Sequence, residues 1–214
     1  MANVDMPFGL KPVRYKNGAP YTGAVTACYI EAGYGTALYV GDPVVKVAGG
    51  SNSASVTAPG AGRFAIGTLP SIEKATVGDA NRVSGVITGF AALPTDLNKN
   101  YNPVSTARVA YVCMDPDVVF EIQADGAIPA ASIGLNAVFI ATHSGSTTTG
   151  LSGIELDTTS DVPAADASNQ MIIVGAVNRE DNDTTLTHAK VLVLLTNHTE
   201  AHGNTANGDG TLGI

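Results

Sequence analysis

Short apolar runs separated by turn-forming residues recur along most of the chain. Gly, Asp, Asn, Pro and Ser lie between the runs, and this spacing is typical of a β-sandwich or β-barrel. We therefore predict an all-β fold with a barrel-like or sandwich-like core, and a single helical turn at residues 130–135. The predicted strands cover residues 22–30, 37–40, 44–47, 64–69, 83–90, 107–114, 118–122, 137–142, 171–177 and 189–196.

Several of these runs are apolar without interruption, among them VVKV, MIIVGAV and VLVLL. A half-buried strand alternates apolar and polar residues, so uninterrupted runs predict burial on both faces or at a subunit contact.

The pattern divides the chain into three segments. Residues 1–20 show neither helical nor strand periodicity, and we predict an extended N-terminal arm that is too apolar for a disordered tail. Residues 21–145 hold the barrel or sandwich core. Residues 146–214 form an acidic β part that ends in an irregular C-terminal tail; this part is either a separate domain or belongs to the core domain.

Composition narrows the functions that fit this pattern. Aromatic residues make up only 6% and Trp is absent, so Val, Ile, Leu and Ala must fill the core. Only 14% of residues are charged and the net charge is -8, a poor match to nucleic-acid phosphates or anionic lipids. We expect neither nucleic acid nor a membrane as a partner, and the sequence shows no export signal and no long apolar span.

Two cysteines, Cys28 and Cys113, lie within predicted strands. In a chain made in a reducing cytoplasm, free buried thiols are commoner than a single disulfide, so we expect free thiols, with a bridge as the alternative.

Gly60, Gly62 and Ala65 resemble the glycine-rich turn that holds a dinucleotide pyrophosphate. That turn acts through the helix that follows it, and no helix is predicted here. We interpret the segment as a turn, and no other motif indicates a cofactor.

The four histidines do not form a metal motif in the sequence. His198 and His202 have helical spacing, but the sequence places no third ligand near them. His143 and His188 each stand alone in a polar stretch. We expect four exposed histidines without a metal.

Two acidic groups resemble calcium loops. The first, at residues 180–183, includes Asp181 and Asp183, and the second is Asp115 with Asp117. An EF-hand loop needs a Gly at its sixth position and an acid at its twelfth, and neither follows the first group. We interpret both as polar turns, and we predict no catalytic residue because no nucleophile elbow or acid–base pair stands out.

Three segments of the sequence resemble those of a known class of protein: ANVDMPFGLKPVR, YGTALYVGDPVV and VCMDPDVVFEIQADG. They resemble small structural proteins encoded beside the capsid genes of tailed bacteriophages, in particular capsid decoration (cement) proteins. The resemblance covers residues 2–14, 34–47 and 111–126, whereas the last third of the chain matches only in its strand and turn character.

The resemblance implies a non-enzymatic virion protein, made in the host cytoplasm, that binds the capsid exterior. Its expected partners are the major capsid protein and further copies of itself, as a homotrimer or a dimer. A cement protein needs contact area rather than an active site, and an extended arm supplies such area. We predict that the basic, aromatic arm forms the interface, through Phe8, Leu10, Lys11, Val13, Arg14 and Tyr15.

The sequence leaves open three alternatives to a decoration protein. A major capsid protein is expected to carry a long spine helix, and no stretch has the 3.6-residue period of one. A carbohydrate-binding or tail-associated β module usually presents Trp or Tyr platforms, and this chain has no Trp. An enzyme, for example a metal-dependent hydrolase, ranks last.

Overall fold

The structure, a computed structural model, describes residues 3–140 and 143–201 of the chain. It is nearly all-β, as the short apolar runs predict, and its helical content in these ranges is one 3₁₀ turn at Ala130–Ser132. No helix in the described ranges has the length and hydropathy that a membrane span requires. The strands are β1 (Lys11–Tyr15), β2 (Thr26–Ile30), β3 (Pro43–Ser51), β4 (Val56–Ala58), β5 (Gly62–Phe64), β6 (Pro70–Lys74), β7 (Gly85–Phe90), β8 (Arg108–Cys113), β9 (Val118–Gln123), β10 (Asn136–Ala137), β11 (Phe139–Ile140), β12 (Glu155–Leu156), β13 (Met171–Ala176) and β14 (Lys190–Leu195).

Five strands close into a barrel in the order β2-β6-β3-β7-β8, and β8 pairs back onto β2. Closure leaves no free edge in this sheet. Aliphatic and small side chains fill much of the interior, as the low aromatic content predicts. They include Cys28, Ile30, Leu38, Val44, Ile72, Ile87, Ala110, Val112 and Met114.

A five-stranded antiparallel sheet, in the order β1-β9-β14-β13-β10, forms the second layer. Phe120 on β9 and Val193 on β14 belong to its buried cluster. All six residues of β9 are buried, so this strand is covered on both faces. In β14, buried and half-buried residues alternate. Only every second side chain of β14 points into the core, so within this chain the second face of VLVLL is only partly buried, and the alternative of a subunit contact at this strand stays a prediction.

The arm joins this sheet. β1 pairs antiparallel with β9, with Lys11 opposite Glu121, and Leu10 is 1% exposed within the same buried cluster as Phe120. Strands from all three segments of the chain (1–20, 21–145 and 146–214) therefore share one sheet. The irregular tail expected at the C-terminus falls, from residue 202 on, outside the described residues.

Two of the predicted strands are turns or isolated bridges. Residues 37–40 form single bridges, and residues 65–69 form a turn around the buried side chain of Asn52. The Asn52 amide donates to the Ala65 carbonyl at 2.7 Å, and its Oδ1 accepts from the Leu69 N–H at 2.9 Å. These bonds give the backbone partners that a sheet would otherwise supply.

Two buried charged side chains connect loops to the barrel. Asp42 is fully buried, and it accepts the Ser152 hydroxyl at 2.6 Å while the Lys74 ammonium lies 3.3 Å away. Arg108 is 6% exposed and donates to the carbonyls of Ala91, Tyr101 and Lys99 at 2.6, 2.7 and 2.9 Å. Its guanidinium thereby ties residues 91–101 to β8.

Candidate functional site

The six arm residues expected at an interface occupy different environments. Leu10 is buried in the core, so its side chain already packs against this chain. The other five are at least partly exposed: Phe8, Lys11, Val13, Arg14 and Tyr15. Because successive residues of β1 point to opposite faces, only some of the six can meet one partner surface.

Backbone and side-chain bonds anchor the start of the arm. The Asn3 amide donates to the carbonyls of Asp183 and Thr187, both at 2.8 Å, and the Met6 N–H donates to Gln123 at 3.2 Å. At Gly9 the arm crosses the barrel so closely that an added Cβ would lie 2.5 Å from the Gly41 carbonyl oxygen. A glycine is required at this crossing.

A surface groove runs between the arm and the barrel, and we call it the arm groove. Its volume is about 560 Å³. Three of the expected interface residues, Phe8, Leu10 and Lys11, line it. The rest of its apolar wall comes from the arm, the barrel and two loops, namely Pro12, Tyr21, Val40, Ile87 and Leu151. Residues distant in sequence form this surface, which explains why sequence reasoning found only its arm side.

The polar margin of the arm groove carries a cation without an ion pair. Arg179 bonds the Glu121 carboxylate at 2.6 Å and lies 3.5 Å from Asp181. Lys11 faces Glu121 across the β1–β9 pair, but that carboxylate is occupied by Arg179, and no described residue forms an ion pair with Lys11. The groove therefore combines apolar contact with one available positive charge.

The glycine-rich segment is a hairpin turn. Gly60 lies in the turn between β4 and β5, and Gly62 is the first residue of β5; their φ angles are positive, at 84° and 93°, and the segment continues as a strand where a phosphate site needs a helix. The expected turn is confirmed.

The acidic groups also form turns. Asp183 Oδ1 accepts the N–H and hydroxyl of Thr185 at 2.9 and 2.6 Å, whereas Asp181 faces Arg179. Asp115 accepts the Asp117 N–H at 2.8 Å. These carboxylates bond to their own turns, and among the described residues neither group belongs to a set with metal-ligand spacing.

Of the histidines expected to be exposed, His143 is exposed, whereas His188 is half-buried and His198 is buried. His198, expected to be exposed, is 1% exposed beside Val83, and burial lowers the pKa of its imidazole. His202 lies outside the described residues. His143 and His188, far apart in sequence, both lie beside the buried carboxylate of Glu155, with Nδ1 atoms 2.7 and 4.0 Å from its oxygens.

Both cysteines are free and buried, as expected. Cys28 lies inside the barrel, where burial raises the pKa of its thiol to about 12. Cys113 belongs to the other core cluster, and burial raises its pKa as well. Thiols held protonated in this way are poor nucleophiles.

No protein-family model matches this chain, and comparisons with curated proteins and with solved structures also find no significant match.

Proposed function

We propose that this chain is a virion structural protein that binds the outer surface of a tailed-phage capsid and reinforces contacts between major capsid subunits. The observation that carries the proposal is the arm groove, a largely apolar surface groove lined in part by Phe8, Leu10 and Lys11 of the arm. The resemblance of the arm sequence to capsid decoration proteins directs the proposal toward a capsid partner.

The groove suits an extended segment of the major capsid protein that carries an apolar side chain and a nearby carboxylate. The apolar side chain would pack between the arm and the barrel, and the carboxylate would pair with Lys11. Exposed apolar side chains on the arm, Met6 at 66% and Val13 at 37%, extend the surface beyond the groove. A stable interface needs about 800 Å² from each partner, so the groove forms the centre of a larger contact.

Repetition on the capsid would strengthen a modest contact. If the chain associates as a trimer or dimer, binding of one subunit places the next at a high effective concentration near its own capsid site. Each groove can then bind weakly while the assembly stays attached.

The major-capsid and carbohydrate-module alternatives gain no support from the described residues. A spine helix of the kind expected in a major capsid protein is absent from the ranges 3–140 and 143–201. An exposed aromatic platform would support the carbohydrate-binding alternative. Tyr39 and Tyr101 instead stack on each other at 5.2 Å, and Tyr39 is only 8% exposed.

The test is co-sedimentation with shells assembled from the major capsid protein of the same phage. We expect the wild-type chain to sediment with the shells. The double variant Lys11→Glu, Leu151→Asp, which reverses the charge and disrupts the apolar wall, should bind roughly tenfold more weakly or worse. Leu151 is 36% exposed, so the fold should tolerate the change, and circular dichroism checks this.

The matched control is Leu97→Asp, because Leu97 is 78% exposed and does not line the groove. It should bind like the wild type. Failure of the wild-type chain to bind shells would refute the capsid function, whereas equal binding by all three proteins would refute only the role of the groove.

A further inference from the structure

Three potential metal ligands from distant parts of the chain meet at one place. Asp5 lies in the arm, Glu155 in β12 and His188 in the loop before β14. One ligand atom from each lies within 4.8 Å of the other two. Glu155 is 2% exposed, whereas the Asp5 side chain is 61% exposed, so the cluster reaches from the interior to the surface.

The spacing of these atoms suits a shared metal better than hydrogen bonds. His188 Nδ1 lies 3.6 Å from Asp5 Oδ1 and 4.0 Å from Glu155 Oε1. Both separations are too long for a hydrogen bond, and this buried nitrogen has no hydrogen-bond partner. Ligands of a tetrahedral Zn²⁺ at the usual bond lengths lie roughly 3.3–3.5 Å apart, so a small inward movement would suffice.

A buried amide orients both carboxylates. The Gln123 NH₂ group donates to Asp5 Oδ1 at 3.0 Å and to Glu155 Oε1 at 2.8 Å. Its Oε1 accepts the Met6 N–H at 3.2 Å, which fixes the direction of the amide. His143 Nδ1 lies 2.7 Å from the other Glu155 oxygen. Metal sites are supported by outer partners of this kind, which hold the ligands in place.

The cluster also lacks a permanent cation. Among the described residues, the ion-pair partners of Asp5 and Glu155 are histidines, with no lysine or arginine within range. Two carboxylates, one of them buried, are costly to hold together without a positive charge. A divalent ion would supply that charge.

We propose that Asp5, Glu155 and His188 bind one divalent transition-metal ion, with Zn²⁺ as the preferred species. The imidazole nitrogen argues for zinc over calcium or magnesium, which prefer oxygen ligands alone. The exposed side at Asp5 leaves the fourth position to water. The ion links the arm to the C-terminal part of the chain and so stabilises the docked arm. This role does not depend on the proposed capsid function.

The test is zinc titration of the untagged, chelator-treated full-length chain by isothermal calorimetry, with bound metal counted by mass spectrometry. The wild type should bind one Zn²⁺. Asp5→Asn and His188→Asn should each weaken binding at this site at least about tenfold. Asp5 is exposed, and asparagine tolerates the positive φ of 60° at His188, so both variants should fold.

Asp117→Asn is the matched control, because it removes one exposed carboxylate outside the cluster and should leave zinc affinity unchanged. Saturating zinc should also raise the Tm of the wild type by roughly 5–10 °C and leave that of His188→Asn nearly unchanged.

Absence of stoichiometric zinc binding by the wild type would overturn the proposal. Zinc binding that both ligand variants retain would place the ion elsewhere and overturn it equally. Equal affinity for Ca²⁺ and Zn²⁺ would refute the assignment to a transition metal.

Discussion

The close crossing of the arm over the barrel predicts that Gly9→Ala destabilises the protein strongly. Gly9 has a φ of +70°, and its added Cβ would lie 2.5 Å from the Gly41 carbonyl oxygen and 2.6 Å from the Ser152 Cβ. The Gly41 carbonyl oxygen also accepts a hydrogen bond from the Leu10 N–H at 2.9 Å, so it cannot move away from the added Cβ without weakening that bond.

Gly49 offers a matched control. Its φ is +69°, nearly identical, but an added Cβ there would meet nothing within 4 Å. Gly49→Ala therefore measures the cost of placing alanine in a left-handed backbone conformation, about 1–2 kcal/mol. Alanine also restricts the unfolded chain, which offsets about 0.4–1 kcal/mol of that cost. Gly9→Ala adds overpacking of about 1–3 kcal/mol to that net cost of ~1 kcal/mol. The expected totals are ~2–4 kcal/mol for Gly9→Ala and ~1 kcal/mol for Gly49→Ala.

Urea unfolding measures both free energies, and thermal unfolding should show Tm losses of roughly 5–15 °C and 2–4 °C. Hydrogen exchange at the Leu10 amide adds a local readout, since arm release alone would expose this amide and leave β14 protected. Equal destabilisation by the two alanines would refute the close crossing, and with it the docking of the arm in this conformation.

Three further predictions concern buried groups. Arg108→Lys should destabilise the protein by about 2–4 kcal/mol in urea unfolding, because one ammonium cannot reach all three carbonyls that the guanidinium bonds; a loss under 0.5 kcal/mol would contradict this. Since burial lowers the pKa of His198, the unfolded chain takes up a proton below about pH 6.5 before the folded chain does, so the wild type should lose stability there as the pH falls. His198→Gln should flatten this part of the profile of unfolding free energy against pH, and parallel profiles would show that His198 does not contribute. Iodoacetamide at pH 8 should leave Cys28 unmodified in the folded protein and alkylate it in urea, since burial raises its pKa to about 12; rapid native alkylation followed by mass spectrometry would contradict its place in the barrel core.

The sequence indicated one part of the candidate sites and gave no sign of the rest. The apolar, basic arm was recognisable because a segment such as Phe8–Lys11 is too apolar for a free tail. The far side of the arm groove, at Ile87 and Leu151, carries no local signal. The cluster at Glu155 was missed because His143 and His188 each stand alone in sequence, and only folding brings them to the same carboxylate.

What the sequence by itself determined was the all-β class and the turn character of the Gly60–Gly62 segment, whereas it favoured free thiols at Cys28 and Cys113 without excluding a disulfide. These follow from short-range properties: strand-length apolar runs, turn residues and the scarcity of aromatics. The tertiary structure alone decided that five strands close into a barrel, that β1 becomes an edge of the second sheet, and that β9 is buried on both faces despite Glu121 and Gln123. Strand order and the covering of a face depend on contacts between residues far apart in the chain, and local periodicity carries no information about which strands will be neighbours.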